Sequence, residues 1–281
     1  MVLRPLRSLA HPEPFAGIID RWLGDIEEQL QDPGCDRYEL CRRTLLDLYY
    51  PDLGNYEDLV ADPATSDTTR AALLGLDPHN VTLEPEYYQE VDTERYARVK
   101  PLLWLWQGFD RSPLGGNVAV GVRLRRILAS HIFKHCGKNF KCFQYVEFSF
   151  GYQIEVGDDV VVHRHVLLDD RGGIVMGDRV SIADYANIYS HTHSITDQRD
   201  VTSATTILED GVRITYHATV LAGVKVGEES MVGAAALATR DVRPYHVNLG
   251  IPAKSVRVKP NAPTEDHVTL DSALRREVKD S

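Results

Sequence analysis

Leu208-Glu-Asp-Gly-Val-Arg-Ile-Thr-Tyr-His-Ala-Thr-Val-Leu-Ala-Gly-Val-Lys-Val-Gly-Glu-Glu-Ser-Met-Val-Gly-Ala-Ala-Ala-Leu-Ala238 repeats every six residues. Leu208, Ile214, Val220, Val226, Val232 and Ala238 form one unbroken series. Four residues after each of the first five stands a second small or aliphatic residue: Val212, Ala218, Val224, Ser230 and Ala236. An amphipathic α-helix returns its apolar face at three and four residues, and a lone half-buried strand alternates at two. A strict period of six predicts a parallel β-helix, in which each short strand sends one side chain inward and then turns a corner.

The repeat extends upstream with two breaks. Val156, Val162 and Leu168 keep the spacing, with Val160 and Val166 as companions; Met176, Ile182 and Ile188 resume it, with Val180 and Ala186. The phase slips first across Asp169-Asp170-Arg171-Gly172-Gly173 and again between Ile188 and Leu208. Insertions in a solenoid become loops, and loops on a rigid scaffold carry function. Gly157, Gly177 and Gly227 each follow an inward residue, as tight corners would require.

The chain has 281 residues and a hydrophobic fraction of 43%, enough for a large core. A net charge of −10 argues against a general nucleic-acid binder. No apolar run approaches the twenty residues of a membrane span, and the arginines of Met1 to Pro12 lack the apolar stretch of a secretory signal. Cys35, Cys41, Cys136 and Cys142 form no CxxC pairs. Reduced thiols and a cytoplasmic location are expected.

Residues 1 to 112 read as a helical region. Helices are expected over Phe15 to Leu30, ended by Pro33-Gly34; over Tyr38 to Tyr50, ended by Pro51; over Ser66 to Leu76, capped by Ser66 or Asp67; and over Glu84 to Ala97. Leu102 to Phe109, with Trp104 and Trp106, reads as a packing cluster. Residues 113 to 135 hold a further helix over Asn117 to His135, with Arg123, Arg125, Arg126 and Lys134 assigned to its polar side. It reads either as a plug over the open end of the solenoid or as a membrane-surface helix, and the plug is preferred. Residues 136 to 259 are the β-helix, and 260 to 281 a C-terminal tail.

Two stretches carry a family resemblance. Ile174-Val-Met-Gly-Asp-Arg-Val-Ser-Ile-Ala-Asp-Tyr-Ala-Asn-Ile-Tyr-Ser-His-Thr-His193 resembles the core of the hexapeptide-repeat acyltransferases, in the branch of the maltose and galactoside O-acetyltransferases. The ending agrees: Thr239-Arg240-Asp241-Val242, then Gly250-Ile-Pro-Ala-Lys254. The resemblance spans roughly 136 to 259. It implies a mainly β protein, a left-handed parallel β-helix here joined to an N-terminal α-helical region. It also implies a homotrimer with active sites between subunits, and transfer of an acetyl group from acetyl-CoA to a hydroxyl, usually on a sugar, with no metal required. The small-molecule acceptor is not legible, nor is the length of the donor's acyl chain.

The resemblance also implies a site. It aligns the family's general base with His193, in His191-Thr192-His193-Ser194, where the usual proline is Ser194. An imidazole suits that role because its ordinary pKa lies near 6.5. His191 shares a face with His193 if the segment is extended, and reads as an orienting residue or as the base itself. His165 matches a position where the family often has a substrate-contacting asparagine. Asp170 matches an acidic residue that grips the acceptor, and reads equally as a turn residue. Small residues beside the pantetheine arm would be Ala222 and Ala234, with Tyr216 near the acetyl group. Arg240, Lys254 and Arg257 would meet the phosphates of CoA. An amide at Thr215 or Tyr216 would steady the oxyanion.

Three other readings compete. A serine acetyltransferase would carry a histidine near Leu168 to Arg171, where this chain has aspartate. A γ-class carbonic anhydrase-like zinc protein would space its histidines differently from His163/His165 and His191/His193. A non-catalytic hexapeptide scaffold would not need His193 with a basic tail.

Overall fold

The computed structural model describes residues 11–197 and 199–263, so the stretch before His11 and most of the expected C-terminal tail lie outside the described residues. The chain divides into two compact units. One comprises residues 1–82 and 100–128, the other 83–99 and 129–281. The division falls inside two helices, Thr93–Arg111 and Val118–Ile132.

The first unit is helical, as its patterning predicts. Phe15–Gln31 buries Ile19, Leu23, Ile26 and Leu30 at spacings of four, three and four. Arg37–Tyr49 follows, with Asp36 accepting from the amides of Tyr38 and Glu39 at its N-terminus. Asp67–Leu74 is capped by Ser66, whose hydroxyl accepts from Thr69 N. A short helix, Tyr56–Ala61, was not legible in the pattern, since it buries none of its residues.

Two expectations need correction. The helix expected over Glu84 to Ala97 is instead a 3-10 turn, Glu84–Tyr87, followed by one long helix, Thr93–Arg111, that runs through Pro101. An interior proline costs about 3 kcal/mol. Tyr96, Val99, Leu102, Leu103, Leu105, Trp106 and Phe109 are all buried along that helix, and each large apolar side chain contributes about 1.5–3 kcal/mol, so burial prevails. The second correction concerns Arg125, which is not on a polar face. It is 1% exposed; its Nε and Nη2 donate to Asp110 Oδ1 at 2.7 and 2.5 Å, and Nη2 also donates to Gly115 O at 2.8 Å. A buried guanidinium persists only when paired and hydrogen-bonded in this way.

The second unit is the expected left-handed parallel β-helix. Two-to-four-residue strands stack into three parallel sheets. The first face contains His135–Cys136, Ile154–Val156, Ile174–Met176, Thr206–Leu208 and Lys225–Val226. The second contains Lys141–Cys142, Val161–Val162, Ser181–Ile182, Arg213–Ile214, Met231–Val232 and His246–Leu249. The third contains Glu147–Phe148, Leu167–Asp169, Asn187–Tyr189, Thr219–Val220 and Leu237–Ala238. Lys254–Val258 folds back antiparallel on His246–Leu249. All six residues of the deciding series are at most 1% exposed, and their five companions are buried too.

Register partners measure the coils. On the second face Cys142 pairs with Val162, Val162 with Ile182, Ile182 with Ile214, and Ile214 with Val232. The third face repeats the pattern: Phe148 with Leu168, Leu168 with Ile188, Ile188 with Val220, and Val220 with Ala238. Each step is 20, 20, 32 and 18 positions, so both phase slips are extra residues at the corner between the third and first faces.

Gly157 and Gly177 serve the corners for a reason other than backbone freedom. A Cβ on Gly157 would meet Gly177 C at 2.7 Å, and one on Gly177 would meet Asp210 N at 2.9 Å. Stacked corners approach too closely for a side chain. The left-handed residues are a different set, among them Tyr145, His165, Tyr185, His217 and Ala235, all with φ between 56° and 62° at the corner joining the second and third faces.

Candidate active site

The long slip becomes a β-hairpin. His191–His193 pairs antiparallel with Val201–Ser203, His193 opposite Val201. Its base is anchored below the surface. Ser190, 0% exposed, donates its hydroxyl to Asp169 O at 2.6 Å and accepts from Gly172 N at 2.7 Å. Thr206 Oγ1 donates to Tyr189 O at 2.6 Å and accepts from Gly223 N at 3.0 Å. The hairpin therefore leaves the coil rigidly, directly above the Ala222-Gly223 turn.

The two histidines sit side by side, their ring centroids 5.2 Å apart and nearly perpendicular. His193 is exposed. His191 is mostly buried, with Nδ1 2.5 Å from Asp169 Oδ2. That approach is close in distance but falls outside hydrogen-bond geometry, so its weight is electrostatic. Asp169 is steadied by Ser149, whose hydroxyl donates to Oδ1 at 3.1 Å. On the far side of the ring, Arg171 Nη1 lies 3.1 Å from His191 Nε2. Desolvation lowers the pKa of His191 most; Asp169 opposes it, and Arg171 and His193 add to it, leaving the ring below its ordinary value.

Asp170 takes a different course. It is 0% exposed, accepting from Phe150 N at 2.7 Å and Gln153 N at 3.2 Å. Burial pushes its pKa up to about 6 against the pull of those amides. The carboxyl expected to grip an acceptor is spent on the corner one coil earlier, and the acid that faces an imidazole is its neighbour Asp169.

The remaining expected residues fall into three places. Ala222 and Arg240 lie at the corner between the third and first faces, as the hairpin does. His165, Tyr216 and Ala234 lie at the corner between the second and third faces. There the rings of Tyr145, His165, Tyr185 and His217 stack in a column with centroids 5.0, 4.8 and 4.9 Å apart. Tyr216, half exposed, sets its ring edge-on to Tyr185 and His217. Lys254 and Arg257 are exposed on the final antiparallel strand. Thr215 N donates to Val232 O within the ladder, so that amide is not aimed at an oxyanion.

The pattern missed Asp169, Arg171 and Ser190, although the first two stand inside the quoted phase slip. It also missed Glu90 and Tyr88, which stand 81 and 83 residues before Arg171 in sequence. Nothing local in sequence marks those two; only the folded coil brings them to Arg171.

No family model matches the chain. The galactoside O-acetyltransferase of Escherichia coli (strain K12) is 26% identical over 140 residues, covering 48% of this chain and 69% of that protein. The crystal structure of a maltose O-acetyltransferase from Clostridium difficile 630 superposes with a TM-score of 0.53 at 21% identity, over 62% of this chain and 92% of that one. A hexapeptide-repeat acetyltransferase from Vibrio cholerae, complexed with acetyl-CoA, superposes with a TM-score of 0.52 at 23% identity, over 66% of this chain and all of that one. No helix among the described residues is long and apolar enough to cross a membrane. In its repeat and its coil the chain has the fold of the hexapeptide-repeat acetyltransferase structures, and in sequence it is similar to the galactoside O-acetyltransferase.

Proposed function

We propose that this CoA-dependent acetyltransferase moves an acetyl group from acetyl-CoA to a hydroxyl of a sugar-like acceptor, directly within a ternary complex, with His193 as general base. The observation that carries the reading is the hairpin, which holds an exposed imidazole 5.2 Å from a second one braced by Asp169. Arg171 occupies the Nε2 side of His191, which favours the neighbouring His193 for proton transfer.

The acceptor oxygen attacks the thioester carbonyl while its proton passes to His193. The tetrahedral intermediate collapses by breaking the C–S bond, and the imidazolium returns the proton to the CoA thiolate. Ala222 and Ala234 are suited to a pantetheine arm because small side chains let it lie against the coil. Arg240, Lys254 and Arg257 supply cations for its phosphates. The hairpin and the Tyr216–Ala234 surface lie at different corners of one prism, which supports a site completed by a second copy in a homotrimer. The acetyl-CoA relatives support the donor, and the sugar acceptor rests on the branch's names alone.

Thiol release from acetyl-CoA across a panel of sugars tests the activity. His193→Ala should lower kcat at least about a hundredfold, because general-base catalysis is typically worth about 10²–10⁴. Full activity in that variant removes His193 as the base.

A further inference from the structure

A strap, residues 88–92, leads into the long helix of residues 93–111, and with Arg95 of that helix's first turn it lies against the corner that carries the site. Asp92 N donates to Tyr152 Oη at 3.0 Å. Arg95 Nη2 donates to Tyr152 O at 2.9 Å, and its guanidinium stands 4.4 Å over the Tyr152 ring. One turn earlier, Tyr88 lies 4.1 Å from the Arg171 guanidinium. Glu90 Oε1 accepts from both Nε, at 2.7 Å, and Nη2 of Arg171. Partial burial works to raise the pKa of Glu90, but its bond to Arg171 and the positive charges near it prevail and hold the carboxyl below its ordinary value. Arg171 is buried, so with its fork on Glu90 and its plane against Tyr88, its Nη1 has one direction left, toward His191 Nε2.

We propose that Glu90 and Arg171 are positioning residues of the acyl-transfer site, fixing His191 as a neutral imidazole whose single proton sits on Nδ1, toward Asp169. A guanidinium is always charged and can only donate, so the nitrogen it meets must be a lone pair. The ring's proton then belongs on the nitrogen facing the Asp169 carboxylate. Asp169, Arg171 and His193 face the ring, with Glu90 and Tyr88 behind Arg171. Two carboxylates against one guanidinium leave this cluster net negative. That charge stands beside the ring that takes the acceptor's proton. Were His191 to charge instead, a second cation would stand 5.2 Å from the base. The strap lies in the same compact unit as the coil and upstream of residues 136–259, the stretch that carries the sequence resemblance.

The catalytic consequence rests on the acyl-transfer reading; the protonation state does not. Long-range ¹H–¹⁵N spectra of the imidazoles in the full chain, with His191→Gln for assignment, read it directly. Wild type should show His191 as the Nδ1–H tautomer, charging only below the ordinary histidine range. Arg171→Ala should release Nε2, mix the tautomers and move the midpoint upward. Arg171→Lys should restore the charge without the fork and recover part of the effect. Glu90→Gln, at an exposed residue, should mix the tautomers without unfolding the chain. Glu90→Gln should also lower kcat roughly tenfold or more, with KM for acetyl-CoA unchanged, since a small loss of aim is costly. An Nε2–H tautomer in wild type, or spectra unmoved in both Arg171→Ala and Glu90→Gln, overturns the proposal. Absence of thiol release from wild type, with the expected spectra, would instead remove the acyl-transfer reading and leave the protonation state standing.

Discussion

Asp169 and Asp170 are adjacent in sequence and opposite in surroundings. Asp169 faces a histidine; Asp170 turns inward onto two backbone amides. The difference is measurable. The pKa of Asp170 rises from 3.8 to about 6, so the folded protein holds that proton more tightly than the unfolded chain. Its contribution to stability is fully present below about pH 3.8 and is lost as pH rises through about 6. Asp170→Asn cannot ionise. The stability advantage of wild type over that variant should shrink between about pH 4 and pH 6, as thermal unfolding at a series of pH values would show. At this scale the sequence was only partly legible. His191 and His193 stand in a readable motif at a readable insertion. Which of two neighbouring aspartates reaches His191 depends on the direction each side chain takes at the corner, which the pattern does not encode.

The corners show the same division among elements. The six-residue period announces strands and turns, and every inward residue it names is buried. It also marks glycines, but attributes them to tight turning, whereas Gly177 is needed because the next coil's backbone lies against it. Gly177→Ala should therefore destabilise by about 1–3 kcal/mol, the cost of overpacking. Gly24, in the interior of the helix over residues 15–31, has nothing within 4 Å of a would-be Cβ. Gly24→Ala should stabilise by about 0.5–1 kcal/mol. Denaturant unfolding of the pair checks both signs. The long helix through Pro101 escaped the reading because local rules stop a helix at proline, while burial on both sides of it carries the helix onward.

In the whole molecule, the candidate residues are spread over two corners of the coil and its final antiparallel strand. If neighbouring copies complete each other's sites, a chain lacking His193 and a chain blocked at Ala234 should each be inactive alone. Refolded together, His193→Ala and Ala234→Trp should recover measurable thiol release, because some interfaces then pair two intact corners. Sedimentation of wild type should report a trimer, and a monomer with full activity would remove the shared-site reading. The hairpin has a further consequence. It departs from and rejoins the coil at ladder partners that remain aligned on all three faces, so the layers on either side do not register how long the excursion is. Chemistry can thus be rewritten at that point, by lengthening, trimming or exchanging one loop, with the folding instructions for everything around it left intact.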